Sequence, residues 1–208
     1  SCITVDPNDS NIWYLGTGEQ YTFGAAVGNG VYKTTNGGAD WVNVQLPVGE
    51  DSGNLLAGIY FINDIIAWDN AGFTEVFVGV GGHLYGDSAN PTNWLGLQSA
   101  GLYRTADGGT NWSRIESVNM RFAYSSYTFY YIPNDLEIGA DNKLWMGSIS
   151  TPGTGGLGGG KIFSSSDGVT WIEAAASPLT TSDRVELAVS STDANKIYAL
   201  TEGDGTDP

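Results

Sequence analysis

Glu137 and Glu186 stand at the same point of two short apolar segments, Leu136-Glu137-Ile138 and Val185-Glu186-Leu187. Two carboxylates held about 5–9.5 Å apart are what acid/base cleavage of a glycosidic bond requires. Glu19, in Gly16-Thr17-Gly18-Glu19, is a third acid of this kind. All three also fit a plainer use as solvated lining, because an acid facing water escapes the cost of burial. His83 is the one histidine, so a histidine metal cluster is excluded and a Ser-His-Asp triad has a single candidate base. No Gly-x-Ser-x-Gly elbow accompanies it. The acid-rich turns Asp6 to Asp9 and Asp204 to Asp207 lack the spacing of a calcium loop. Gly153-x-Gly155-x-x-Gly158 and Gly155-x4-Gly160-Lys161 formally match dinucleotide and phosphate fingerprints. Both need a helix after the glycines, and Lys161-Ile162-Phe163 reads as a strand, so the segment is expected to be a flexible loop. No metal ligand set and no cofactor is expected.

Aromatic residues offer a second chemistry, stacking against sugar rings or anchoring protein side chains. Tyr21, Phe23, Tyr85, Trp94, Phe122, Tyr124 and Tyr127 fall in stretches that read as long loops and are the candidate ligand-binding residues. Arg121 to Tyr131 is the densest run and is expected to be a connecting loop, with Phe129, Tyr130 and Tyr131 serving equally well as the start of a strand.

The partner classes are narrowed by charge. With 23 acids against 8 Lys and Arg, the net charge is −15, and a polyanion such as nucleic acid is repelled by the average surface. Cys2 is the one cysteine, which removes the disulfide-scaffold class. It reads as part of a short strand rather than a lipidated cysteine, since no hydrophobic signal region precedes it. No stretch is long and apolar enough for insertion in a membrane as a helix.

The elements that would position these residues repeat. Gly30-Val-Tyr-Lys-Thr-Thr-Asn-Gly-Gly-Ala-Asp-Trp41 returns as Gly101 to Trp112 and, one residue shorter, as Gly160 to Trp171. A spacing of roughly 60–70 residues fits one four-stranded sheet per repeat, with long loops. Between these copies lies a second pattern, an apolar stretch, an Asp/Asn-rich turn and a strand ending in small residues, beginning near Ile3, Ile65, Leu136 and Leu187. Each repeat therefore supplies two hairpins. Helical periodicity is absent. The fold class is all-β, a partial β-propeller of four-stranded antiparallel blades. Blade one covers 3–46, blade two 59–118, blade three 135–176 and an incomplete blade four 184–208. Three and a half blades cannot close a ring, so the natural polypeptide is expected to continue.

The three glycine turns resemble Asp-boxes, the Ser/Thr-x-Asp-x-Gly-x-Thr-Trp hairpins of BNR repeats in sialidases, sortilin-type receptors and several glycoside-hydrolase propellers. Thr34, Asn36, Gly38 and Trp41 carry the first box, Thr105, Asp107, Gly109 and Trp112 the second, Ser165, Asp167, Thr170 and Trp171 the third. Turn chemistry alone accounts for Asp107 and Asp167, so they are read as structural. The resemblance implies that these turns join the two outer strands on the face opposite the ligand loops. Sialidase chemistry would need an arginine cluster, and Arg104 and Arg114 fall on outer strands. Trp13 to Glu19 with the first box also resembles the opening blade of large secreted Bacteroidetes-type proteins exported by the type IX system. That implies an extracellular or cell-surface location and a secretion-machinery partner. The expected function is a propeller, without catalysis in this segment, whose loop-rich face binds polysaccharide or protein. Glycoside hydrolysis by channel-mouth carboxylates is the alternative, and a rigid adhesin or secreted cargo module a third.

Overall fold

The computed structural model describes residues 1–20, 28–46, 61–84, 94–95, 100–125, 127–152, 154–174 and 183–201, with the backbone alone at 83–84 and 94–95. These residues form strands and turns, with one 3₁₀ turn at Val118–Met120. The chain divides into two compact units, Ser1–Arg114 and Ile115–Pro208.

In the first unit, β1 (Cys2–Val5), β2 (Trp13–Gly16), β3 (Val31–Thr34) and β4 (Val42–Val44) pair antiparallel in chain order. A second sheet begins with β5 (Phe61–Asn70) and β6 (Phe73–Gly81), joined by a two-residue turn at Ala71 and Gly72. A small hairpin of β7 (His83–Leu84) and β8 (Trp94–Leu95) follows. The sheet then resumes with β9 (Gly101–Thr105) and β10 (Ser113–Arg114), in the order β5-β6-β9-β10. The hairpin β7–β8 falls where a long loop was expected. β1 alternates exposed Ile3 and Val5 with half-buried Cys2 and Thr4, the pattern of a sheet with one covered face. β6 is different: Val76 to Val80 are all buried, so both of its faces are covered. Tyr14, Val31, Leu46, Ile62, Ile65, Val76, Val78, Val80 and Tyr103 form the core between the two sheets.

The second unit opens with β11 (Arg121–Tyr124) and β12 (Tyr127–Tyr130), a hairpin where the sequence suggested a loop. The correction has a simple cause. The run alternates with period two on both sides of residues 125–126, which suits paired strands better than a coil. Ser125 takes the left-handed conformation (φ 56°) that the tight reversal needs. A four-stranded sheet follows in chain order, β13 (Ile132–Ile138), β14 (Leu144–Ile149), β15 (Ile162–Ser165) and β16 (Ile172–Glu173). The last pair is β17 (Val185–Val189) with β18 (Ile197–Thr201). Ile132, Leu136, Leu144, Met146, Phe163, Trp171, Val185 and Leu187 are buried here.

Two features recur. Register shifts occur at Ile62/Asp64 and at Pro133/Asp135, placing a buried Asn in a bulge each time. Asn63 Oδ1 accepts from Gln20 N at 3.0 Å, and Asn134 Nδ2 donates to Val185 O at 2.9 Å. Each bulge thus turns an amide toward the neighbouring sheet of its own unit. Likewise Ala67 N on β5 donates to Thr4 Oγ1 on β1, and Leu187 N on β17 donates to the Asp135 carboxylate on β13.

Candidate functional site

The three glycine turns consume their own polar groups. Thr105 Oγ1 donates to Asp107 Oδ1 at 2.8 Å and accepts from Gly109 N at 3.0 Å, while Asn111 donates its backbone N to Oδ1 at 2.8 Å and its amide to Oδ2 at 2.7 Å. Thr34, Asn36, Gly38 and Asp40 repeat the arrangement, with the Asn36 carbonyl oxygen replacing the carboxylate. In the third turn Ser165 Oγ donates to Asp167, and Val169 N and Thr170 N both donate to the same carboxylate oxygen. These bonds stabilise the ionised form. Asp107 is pulled down to about 2, chiefly by Asn111, and Asp167 to about 2, chiefly by Thr170 N. Both carboxylates are thus committed to holding their own turns. The tryptophans differ: Trp171 is fully buried, Trp41 and Trp112 only partly.

The three candidate acids have unlike surroundings. Glu186 is held by Arg184 at 2.6 Å. Glu137 has an acid, Asp135, two residues away on the same side of β13; burial and that charge push its carboxyl up. Asp135 is itself pushed up by burial, against the hydrogen bond from Leu187 N and together with the charge of Glu186. Glu19 is half-buried in the first unit.

Of the candidate aromatics, Tyr21, Phe23 and Tyr85 lie outside the described residues, and Trp94 falls on β8. The other three are brought together. Phe122 faces Phe129 and Tyr124 faces Tyr127 across β11–β12, so one face of the hairpin is wholly aromatic. Its rings run from solvent inward. Tyr127, 56% exposed, lies 6.2 Å from Phe129, Phe129 lies 6.0 Å from Phe122, Phe122 lies 5.1 Å from Tyr131, and Tyr131 lies 5.0 Å from buried Phe163. Arg121 sits over the Tyr130 ring on the other face.

A cavity of about 420 Å³ is lined by Phe122 and Tyr131 together with the glycine segment 155–159, Lys161 and Asp183. The segment expected to be a flexible loop is pinned: Thr151 N donates to Leu157 O at 2.8 Å, and Thr154 Oγ1 donates to Thr151 O at 2.7 Å. Glycine is required at 158, where φ is 91° and an added Cβ would stand 3.0 Å from the Phe122 ring. Lys161 Nζ meets Glu173 Oε1 at 2.7 Å, which raises the ammonium above its usual range. Burial pushes the Tyr131 hydroxyl up, with Lys161 opposing and Glu173 adding to the shift. Two aromatic rings, a glycine segment and a carboxylate in one lining suit binding of a polar ring rather than bond-breaking. None of Tyr131, Lys161 and Asp183 is expected at a binding site from the sequence: Tyr131 reads equally well as the start of a strand, Lys161 only as part of a phosphate fingerprint that lacks its helix, and Asp183 carries no signal.

The sequence matches no protein-family model and no curated protein. Solved structures do match. An ancestral GH74 enzyme superposes with a TM-score of 0.54 at 20% identity, over 95% of this chain and 21% of that one. The GH74 enzyme of Niastella koreensis gives 0.49 at 23% identity, over 82% and 20%. The GH74 xyloglucanase from Xanthomonas campestris gives 0.43 at 14%, over 96% and 35%. This chain therefore spans only 20% and 21% of the first two enzymes' length. Likeness at that identity speaks to fold alone. Taken with the consecutive antiparallel sheets, it makes this chain an all-β segment of a β-propeller built of four-stranded blades.

Proposed function

We propose that this chain belongs to a secreted or cell-surface propeller of the Asp-box class that binds polysaccharide and has no catalytic role in this segment. One observation carries the reading: Phe122, the inner ring of the aromatic face of β11–β12, lines the same cavity as Tyr131. Rings of this kind bury the apolar faces of sugars, while backbone amides satisfy their hydroxyls. The likeness to an ancestral GH74 enzyme agrees with a carbohydrate ligand. Export by the type IX system rests on the resemblance of Trp13 to Glu19 and the first box, and is tested by locating the tagged full-length protein in its host.

The binding test is affinity electrophoresis of the chain and its Phe122→Ala/Tyr124→Ala/Tyr127→Ala variant on gels containing neutral and basic glycans. Retention by the parent and its loss in the folded variant support the reading. Equal retention of both on every glycan sinks it.

Glycoside hydrolysis is the second reading, favoured by one fact: Glu137 is pushed toward its protonated form, the state a general acid needs. Reducing-sugar release by the parent, absent in Glu137→Gln, would establish it.

A further inference from the structure

Resting on the polysaccharide-binding reading, we propose that the cavity beside β11–β12 selects a glycan carrying free amino groups, such as a de-N-acetylated hexosamine polymer. The observation is an asymmetry between its two charged rim residues. Lys161 is already neutralised by Glu173 at 2.7 Å. The Asp183 carboxylate, by contrast, is exposed, and among the described residues nothing forms a hydrogen bond or ion pair with it. Its Oδ1 lies against the glycine wall, 3.2 Å from where a Cβ on Gly156 would be. Among the described residues that line the cavity, Asp183 is thus the one uncommitted charge, and it is negative.

The Phe122 and Tyr131 rings, 5.1 Å apart at 46°, line the same cavity. A ring face attracts an ammonium group through its quadrupole, and a carboxylate adds a charge-assisted hydrogen bond. A hexosamine ring presents both features that this wall complements, an apolar face to stack and an ammonium to pair. A uronate or sialate would instead place a carboxylate beside Asp183, and the net charge of −15 adds to that repulsion.

The test uses oligosaccharides of glucosamine and of N-acetylglucosamine with the same linkage and length, titrated calorimetrically into the chain. The parent is expected to favour the amino form by about three- to tenfold at low salt, the range of a partly solvated charge-assisted contact. Added salt should erase the preference. Asp183→Asn is expected to abolish the preference while keeping affinity for the N-acetylated form. Asp141→Asn removes an equal charge outside the cavity and should change neither value. Equal binding of the two sugars by the parent, or an Asp141→Asn effect matching that of Asp183→Asn, overturns the inference and leaves polysaccharide binding standing. Binding of neither oligosaccharide by the parent overturns the inference, and whether it still binds other glycans decides the wider reading separately.

Discussion

Arg104 grips Glu75 through two hydrogen bonds of 2.6 Å, Nε to Oε2 and Nη2 to Oε1, and so ties β9 to β6 in the first unit. Glu75 is 5% exposed and also accepts from Asn70. Removing the guanidinium leaves a buried carboxylate without its counter-charge, so Arg104→Met is expected to cost about 3 kcal/mol, read from urea unfolding. Burial alone would raise the Glu75 carboxyl, yet Arg104 and Asn70 hold it below its ordinary value. Its contribution is therefore complete above the ordinary glutamate range and is lost as pH falls through the lowered value. A Met variant whose stability fell with acid as steeply as the parent's would contradict this.

In the glycine turns the hydroxyl should matter more than the acid. Thr105 is 2% exposed and its Oγ1 satisfies the N–H of buried Gly109. Thr105→Val is expected to cost about 1–3 kcal/mol, the penalty for orphaning a buried donor. Asp107→Asn should be tolerated far better than Asp107→Ala, because Asn36 already fills that role in the first turn. Melting temperatures of the three variants decide the order, and an Asn variant as unstable as the Ala variant would refute it.

Trp171 is completely buried and its Nε1 donates to Gly168 O, whereas Trp112 is only partly buried. Trp171→Ala is expected to cost about 3–5 kcal/mol, and Trp112→Ala less. Equal losses in chemical denaturation would show that the repeat, not burial, sets the energetics.

Glu137→Gln is expected to raise the melting temperature at neutral pH. Burial and Asp135 push the Glu137 carboxyl up, so the folded state favours its protonated form. That contribution is present below the ordinary glutamate value and lost as pH rises through the raised one. The gain of the Gln variant should fade in acid; a pH-independent difference would assign it to another cause.

Strand pairing was legible because the turns announce themselves: Gly-Gly before Trp41 and Trp112, and Asp/Asn turns between apolar runs. The aromatic hairpin was missed because its reversal at Ser125 lacks the Gly or Asn that marks a tight turn. Glu137 and Glu186 show a different limit. Their equivalence in the repeat was visible, but the neighbour two positions earlier is Asp135 in one and Arg184 in the other, which gives the two acids opposite electrostatics. Asp183 is held beside the cavity by Ser150 N, which donates to its backbone carbonyl at 2.7 Å, a tertiary pairing for which periodicity carries no information.

The bonds from Ala67 N to Thr4 and from Leu187 N to Asp135 bear on how the chain is made. In both, the acceptor lies N-terminal to the strand it caps. A leading strand leaving the ribosome therefore meets its cap already synthesised, and one of its edge N–H groups is claimed before it can pair with a strand of another nascent chain. Assembly in this order favours sequential growth from the N-terminus. A circular permutant emitting 115–208 before 1–114 keeps both acceptors ahead of their strands and should behave as the parent, whereas one that starts between Thr4 and Ala67 makes Thr4 last and should raise aggregation during synthesis.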